Sequence, residues 1–495
     1  MSLRTISAIS AFAILSCICV VDMQFFRMPT VVTIPIFAHS LLLVIGVGAA
    51  LYILSFAIPS QRDPIEIGRW LPELDGLRAI AALSVVIAHS CPLDISTSNG
   101  TYLLWCIVPF MDNFHLAGMG VVFFYALSAF LLTYLNISRK EHSSIGSFYF
   151  RRIVRIWPLY FTVLISLFLY FGSSEAGGSF DWYQQHWYYW VFFVSNWSLA
   201  RLWGGHYVQI GSFSVLWSIS VEEQFYAFFP WIKNWMLASR RNALIVGILF
   251  LIVAYAMRIS FLYRENGFGM YYATTSYLEV FLAGGYAGYL TAKGQVPTWL
   301  RGRYQIWIFV SILLVLGYFW HMTWTPPYAT TGTGKIFAVS VYSLLAMVFI
   351  CVLLWVVANR DSLLCRFLAC PLMSTLGILS FGIYVWHVPA NIVTRKFETA
   401  GWLPKCALEF MDLRQLICLL LNILVAIAFA CVSYALVERP ALRLAKWYSG
   451  STKQDLKDRA ANTSIVLLVC VVLCIVLIVL ENLLPKANSP IGTYY

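Results

Sequence analysis

Charge is scarce in this chain. Only 11% of its 495 residues are Asp, Glu, Lys or Arg, against 60% hydrophobic, and the mean hydropathy is +0.77. A soluble domain carries about 25% charged residues and has no use for so much apolar surface. The soluble globular class is excluded, and a polytopic membrane protein remains. A second scarcity is metal-ligand spacing. No His, Cys or carboxylate pattern of that kind occurs, so no metal is expected. The cysteines fall mostly within apolar runs, where Cys behaves as a small apolar residue. Cys91 and Cys106 share one polar stretch and could pair in an oxidising compartment. The sequon Asn99-Gly100-Thr101 lies on the same stretch. Internal repeats are not evident, and the composition leaves no large soluble domain at either end.

The net charge of +11 does not point to nucleic acid. The Lys and Arg residues sit in short loops between apolar runs, which is how topology is encoded in a bilayer. Runs of helical length occur at 5–21, 34–57, 77–91, 116–136, 154–172, 213–232, 242–262, 273–291, 304–321, 335–357, 371–392, 413–437 and 463–484. With a cytoplasmic N-terminus, the inner loops hold Arg139, Lys140, Arg151, Arg152 and Arg155, then Lys233, Arg240 and Arg241. Further along they hold Lys293, Arg301, Arg303, Arg360, Arg366, Arg439, Arg443 and Lys446. The outer loops 92–115, 173–212 and 322–334 are nearly free of cations, Arg201 excepted. That asymmetry places the C-terminus outside. The first run lacks a clear cleavage site and is expected to be a retained span rather than a signal peptide. Residues 186–203 are rich in Trp and Tyr, as the headgroup region favours. They read as an interfacial or re-entrant segment.

Arg78 and His89 lie in one of these runs. Eleven helical steps return to within about 20° of the start, so the two side chains share a face about 16 Å apart along the axis. A cation and an imidazole on one stripe of a membrane helix mark a functional site by default. The plainer alternative is an arginine snorkelling to the membrane edge and a satisfied core histidine.

The segment Leu74-Asp75-Gly76-Leu77-Arg78-Ala79-Ile80-Ala81-Ala82-Leu83, followed by His89, resembles the opening signature of acyltransferase family 3. Phe148-Tyr149-Phe150-Arg151-Arg152-Ile153-Val154-Arg155-Ile156-Trp157-Pro158 is similar to that family's arginine-rich inner loop entering a helix. Trp217-Ser218-Ile219-Ser220-Val221-Glu222-Glu223-Gln224-Phe225-Tyr226 resembles its most recognisable block. Ser380-Phe381-Gly382-Ile383-Tyr384-Val385-Trp386-His387-Val388-Pro389 and Val437-Glu438-Arg439-Pro440 are similar to its closing motifs. The likeness runs from about 73 to 443. There are departures. Ala129 stands where a Gly is common, Val122 where many members are polar, and 273–279 lacks the usual Arg and Asp.

The expected fold is an all-α polytopic membrane protein: the resemblance implies a ten-span acyltransferase core, and the apolar runs at 5–21, 34–57 and 463–484 add two extra N-terminal spans and one extra C-terminal span. The expected organisation is a transmembrane hairpin over 1–60, the core over 61–445, and a cytoplasmic linker, last span and outer tail over 446–495. It implies transfer of an acetyl or other short acyl group from cytosolic acetyl-CoA (or acyl-CoA) to a hydroxyl of a cell-surface polysaccharide, glycolipid or lipid-linked sugar. The esterase domain fused to some relatives is not expected. The setting is a plasma (inner) membrane, the partners are the bilayer and a glycan acceptor, and the oligomeric state is left open.

The residues allow that chemistry. Acyl transfer to a hydroxyl needs a base at the hydroxyl and positive or donor groups near the thioester oxygen. His89 suits the base, and Arg78 the donor or the developing charge. An acyl-His intermediate also fits. Arg152 and Arg155 are three apart on one helix face and can grip a phosphate, with Arg151 beside them; plain positive-inside topology explains the same cluster. Glu222 and Glu223 lie within a predicted span and need partners. Glu222 could orient His89 or pair with an arginine, while Glu223 is expected to face elsewhere. Trp217, Glu223 and His387 are candidates for contact with the acceptor, against packing roles. Arg258 and Glu279 in neighbouring spans read as a salt bridge. The competing classes are a transporter of lipid-linked sugar or a small molecule, and a non-catalytic component of surface-polymer assembly. The absence of repeat symmetry speaks against the first. An intact His89 and arginine cluster speak against the second.

Overall fold

The computed structural model describes residues 71–90, 115–138, 145–173, 186–201, 213–302, 304–323, 332–399 and 411–448. The predicted spans at 5–21, 34–57 and 463–484, the Cys91/Cys106 pair and Asn99 lie outside them. Among the described residues every regular element is helical. The long helices are α1 (Pro72–Ser90), α2 (Leu116–Ser138), α3 (Ile145–Ser173), α6 (Trp217–Ala238) and α7 (Arg240–Tyr263). They continue with α9 (Leu278–Ala292), α10 (Gln305–Met322), α11 (Gly332–Ala358), α13 (Pro371–Thr399) and α14 (Met411–Ser433). Short pieces join them: α4 (Tyr188–Val191), α5 (Ser195–Arg201), α8 (Gly267–Tyr272), α12 (Leu363–Leu368) and α15 (Arg439–Tyr448). Among the described residues seven helices are long and apolar enough to cross a bilayer, as an integral membrane protein requires.

The helices form a packed series in which α10 lies on α11, α11 on α9, α9 on α2, α2 on α1, α1 on α13 and α13 on α14. The α9–α2 contact is the most extensive, and small residues make it so. A Cβ at Gly284 would strike the Ala126 carbonyl, and one at Gly288 the Phe130 carbonyl. Two glycines four apart put backbone against backbone, the means by which membrane helices approach closely. Gly377 of α13 does the same against the backbone of Asp75 in α1.

The predicted Arg258–Glu279 salt bridge forms between α7 and α9. Arg258 is fully buried and also donates to the Ala254 carbonyl at 3.1 Å and the Val339 carbonyl at 2.6 Å. Ser343 donates to Glu279 at 2.9 Å. A buried charge this well answered is a structural tie between α7, α9 and α11.

Two local results differ from the expected spans. Helix α3 begins at Ile145, well before the expected 154, so Arg151 and Arg152 lie inside the helix and share it with Arg155. Phe148 is buried there, and apolar packing carries the helix back through the arginines. Residues 274–277 form a 3-10 turn, which delays α9 to Leu278. Outside the long helices, the Cys365 thiol of α12 is buried and pushed up to about 12 by that burial, so it is an inert core group.

Candidate active site

One cavity of about 680 Å³ opens among α1, α2, α3, α6, α13 and the turn after α14. Arg78 of α1 and Arg152 and Arg155 of α3 line it, and so do Glu222 and Tyr226 of α6. Asp75 of α1, Tyr125, Ser128, Tyr134 and Ser138 of α2, Ser218 of α6, Ser380 and Tyr384 of α13, and Tyr434 add to its polar wall. Helical spacing explains the arginines, since residues three apart share a face. Arg152 lies over the Tyr226 ring at 5.7 Å from its centroid, and its buried Nε has no partner among the described residues. Glu222 is not aimed at His89. Its Oε1 accepts from Ser128 Oγ at 2.6 Å, and Arg78 and Arg152 are the cations nearby.

The three consecutive polar residues of α6 point three ways, as steps of about 100° require. Glu222 faces the cavity. Glu223 turns to α3, where Trp157 Nε1 donates to its Oε2 at 3.0 Å. Gln224 turns to the short-helix segment. It donates to the Phe193 carbonyl at 2.7 Å and to Asn196 Oδ1 at 2.8 Å, and accepts from Trp197 Nε1 and Thr274 Oγ1 at 3.1 and 2.5 Å. Residues 186–201 thus form two short helices pinned to α6.

His89 and His387 form a separate pair with ring centroids 5.1 Å apart. Neither lines the cavity. Tyr384 stands between: it lines the cavity, and its ring lies 5.7 Å from that of His387. Tyr384 Oη is itself held by Ser218 Oγ at 2.5 Å and by the Val215 carbonyl at 3.0 Å. Nδ1 of His89 meets the Val85 carbonyl at 2.8 Å. A carbonyl only accepts, so Nδ1 carries the hydrogen and Nε2 of the neutral ring is left as the basic atom.

Of the residues singled out from sequence, Arg78, Arg152, Arg155 and Glu222 come together at one cavity, and His89 joins His387 beside it. Trp217 is buried among Tyr125, Tyr271, Tyr272 and Tyr277 and does not itself line the cavity, although Tyr125 does. Arg151 and Glu223 also lie outside the lining. Ser128, Tyr226, Tyr384 and Gln224 were missed as site or anchor groups. A hydroxyl or amide in an apolar helix leaves no periodic signal. The turn Tyr434–Glu438 is a π-helix, a form frequent at functional sites. Pro440 follows it, and the widened turn spares the clash of a proline ring with the carbonyl four residues back. Among the described residues no cluster of three or more His, Cys, Asp or Glu could hold a metal ion.

The chain resembles O-acetyltransferase OatA of Staphylococcus aureus (strain MRSA252), 24% identical over 434 residues, 83% of this chain and 63% of that protein. It is equally similar to YrhL of Bacillus subtilis (strain 168), provisionally named a peptidoglycan O-acetyltransferase. There the match covers 401 residues, 75% of this chain and 55% of the relative. The chain therefore spans between about half and two thirds of the length of these relatives. No solved structure matches. The family model described as an acyltransferase domain, Acyl_transf_3, matches residues 71–438, which include the cavity, its arginines and both histidines, and the chain belongs to that acyltransferase family.

Proposed function

We propose that this protein is a membrane O-acyltransferase that moves an acetyl, or another short acyl, group from cytosolic acyl-CoA to a hydroxyl of a cell-surface glycan. The observation that carries the reading is one cavity lined by three guanidinium groups, Arg78, Arg152 and Arg155, at the arginine end of the helix that bears His89. The donor is a polyanion, and guanidinium forks match phosphate. The unpartnered Nε of Arg152 fits such a ligand. The relatives named as O-acetyltransferases favour acetyl as the group moved, and the name of YrhL favours a cell-wall glycan as acceptor.

In this reading Arg152 and Arg155 hold the phosphates, and the flexible arm runs along α1 for about 16 Å towards His89. That path passes Tyr384, so its side chain and that of Phe124, which packs on it at 6.3 Å, shift to admit the thioester. His89 Nε2 takes the proton of the acceptor hydroxyl as its oxygen bonds to the acyl carbon. The carbon–sulfur bond breaks, and the proton passes on to the departing thiolate. Arg78 stands with Arg152 and Arg155 at the phosphate end and fixes the donor, with Glu222 holding Arg78 and Arg152 in place. In this reading the ten long helices make up a membrane core in the plasma membrane, with the arginine cluster at the cytoplasmic side.

The test is transfer from labelled acetyl-CoA in membranes carrying wild type, His89→Ala or Arg152→Ala, with the label followed into lipid and polysaccharide. Incorporation that His89→Ala abolishes supports the enzyme. Equal labelling by wild type and His89→Ala removes His89 from the mechanism, and no labelling above empty membranes with any short acyl donor removes the function.

A further inference from the structure

A second polar cluster lies where the C-terminal end of α1 meets α13 and α14, and it holds unanswered acceptors. His89 Nδ1 donates to Val85, and His387 Nδ1 donates to the Tyr384 carbonyl at 2.5 Å. Each neutral ring is left with a lone pair on Nε2. Ser90 Oγ donates to the Val86 carbonyl at 2.5 Å and therefore accepts from Asn422 Nδ2, also at 2.5 Å. That fixes the amide of Asn422 and leaves its Oδ1 as an acceptor. Asn391 Nδ2 is committed to the His89 carbonyl at 3.0 Å. Among the described residues, His387 Nε2 and Asn422 Oδ1 have no partner, although their residues are 0% and 1% exposed.

Buried polar atoms are almost always answered, because an unanswered one has lost its water for nothing. The ligand that answers these must bring hydrogens, because His387 Nε2 and Asn422 Oδ1 are both acceptors. The phosphates and the thioester oxygen of an acyl-CoA are acceptors and would not serve. Neighbouring hydroxyls of a sugar would. The geometry points to this cluster as the acceptor subsite, taking a polyol: one hydroxyl donates to His89 Nε2 and reacts, and its neighbours donate to His387 Nε2 and Asn422 Oδ1. The donor cavity and the acceptor cluster then lie on opposite sides of Tyr384 and meet at His89. This rests on the acyltransferase reading above.

The experiment uses the full chain in lipid nanodiscs, with labelled acetyl-CoA as donor and chitotetraose and glycerol as hydroxyl probes. Three quantities are read: acetyl-CoA affinity, thioester hydrolysis, and ester formation against probe concentration. His387→Ala and Asn422→Leu are expected to raise the KM for the probe by about tenfold, the loss of one hydrogen bond. They should shift the partition from transfer towards hydrolysis while acetyl-CoA affinity holds. Retained affinity shows that the variants fold. Unchanged probe KM and partition, or acetyl-CoA affinity falling in step with transfer, overturns the subsite. A wild type that binds acetyl-CoA yet esterifies neither probe overturns the polyol assignment alone. A wild type that does not bind acetyl-CoA overturns the donor reading, and this subsite with it.

Discussion

His89 and His387 come from two helices, yet each ring is set by its own backbone: one carbonyl a turn back on α1, another on α13. With centroids 5.1 Å apart and planes tilted by 50°, neither imidazole needs the other for its orientation. Replacing one should leave the other in place.

That independence makes His89 variants informative. His89→Ala and His89→Gln are both expected to lower transfer by about 10²–10⁴-fold, the range for a lost general base. Acetyl-CoA affinity, measured by equilibrium dialysis, should hold, because the ring lies outside the arginine cavity. A fall in affinity that matches the fall in rate would place His89 at the donor site instead.

Arg152 should behave in the opposite way. Arg152→Ala is expected to weaken acetyl-CoA binding by about 10–100-fold, as losing a charge-assisted hydrogen bond does. Arg152→Lys keeps the charge without the fork and should recover only part of it. Titration of labelled donor against the purified variants checks this, and full affinity in Arg152→Ala would assign the phosphates elsewhere.

The buried Arg258–Glu279 pair should matter for stability. Glu279→Leu alone strands a fully buried guanidinium and is expected to cost about 3–5 kcal/mol. The double change Arg258→Met with Glu279→Leu removes both charges and should return most of the lost thermal stability in detergent. If the single change melts with the wild type, the pair is not the tie described.

At the α9–α2 contact, Gly284→Leu and Gly288→Leu force side chains into the backbone of α2. Both are expected to abolish the folded protein in size-exclusion profiles. Gly285→Ala should be far milder, because the added methyl would meet only Thr133 Oγ1 at 3.3 Å. Equal behaviour at all three positions would mean that helix packing is looser than drawn.

Much of this was written in the chain. Each of the ten core runs from 77–91 to 413–437 contains a helix, several within a few residues of the expected limits, because a long apolar stretch favours structure that satisfies its backbone internally. Arg258 and Glu279 found each other for a similar reason, since charges that deep need partners. The start of α3, residues 145–153, was illegible because arginines interrupt the apolar run there while Phe148 still packs. Ser128 and Tyr384 could not be picked out of many like them, since their importance is only that other helices bring Glu222 and His387 beside them. The anchoring of 186–201 through Gln224 was hidden for the same reason: Phe193, Asn196 and Trp197 of that segment and the distant Thr274 share one amide.

The glycine seam between α9 and α2 has a further effect. Gly284 and Gly288 press on Ala126 and Phe130, and Ser128 lies midway between those two, about 200° round from Ala126 and so on the opposite flank of the helix. The seam therefore works like a machinist's jig behind the turn that presents Ser128 to Glu222. Main-chain contact has no rotamers to hop between. The tolerance with which Glu222 is held is set by two helix axes and not by a chain of swivelling side chains, so a substitution on the far, unlit flank of α2 could blunt the cavity without touching one of its walls.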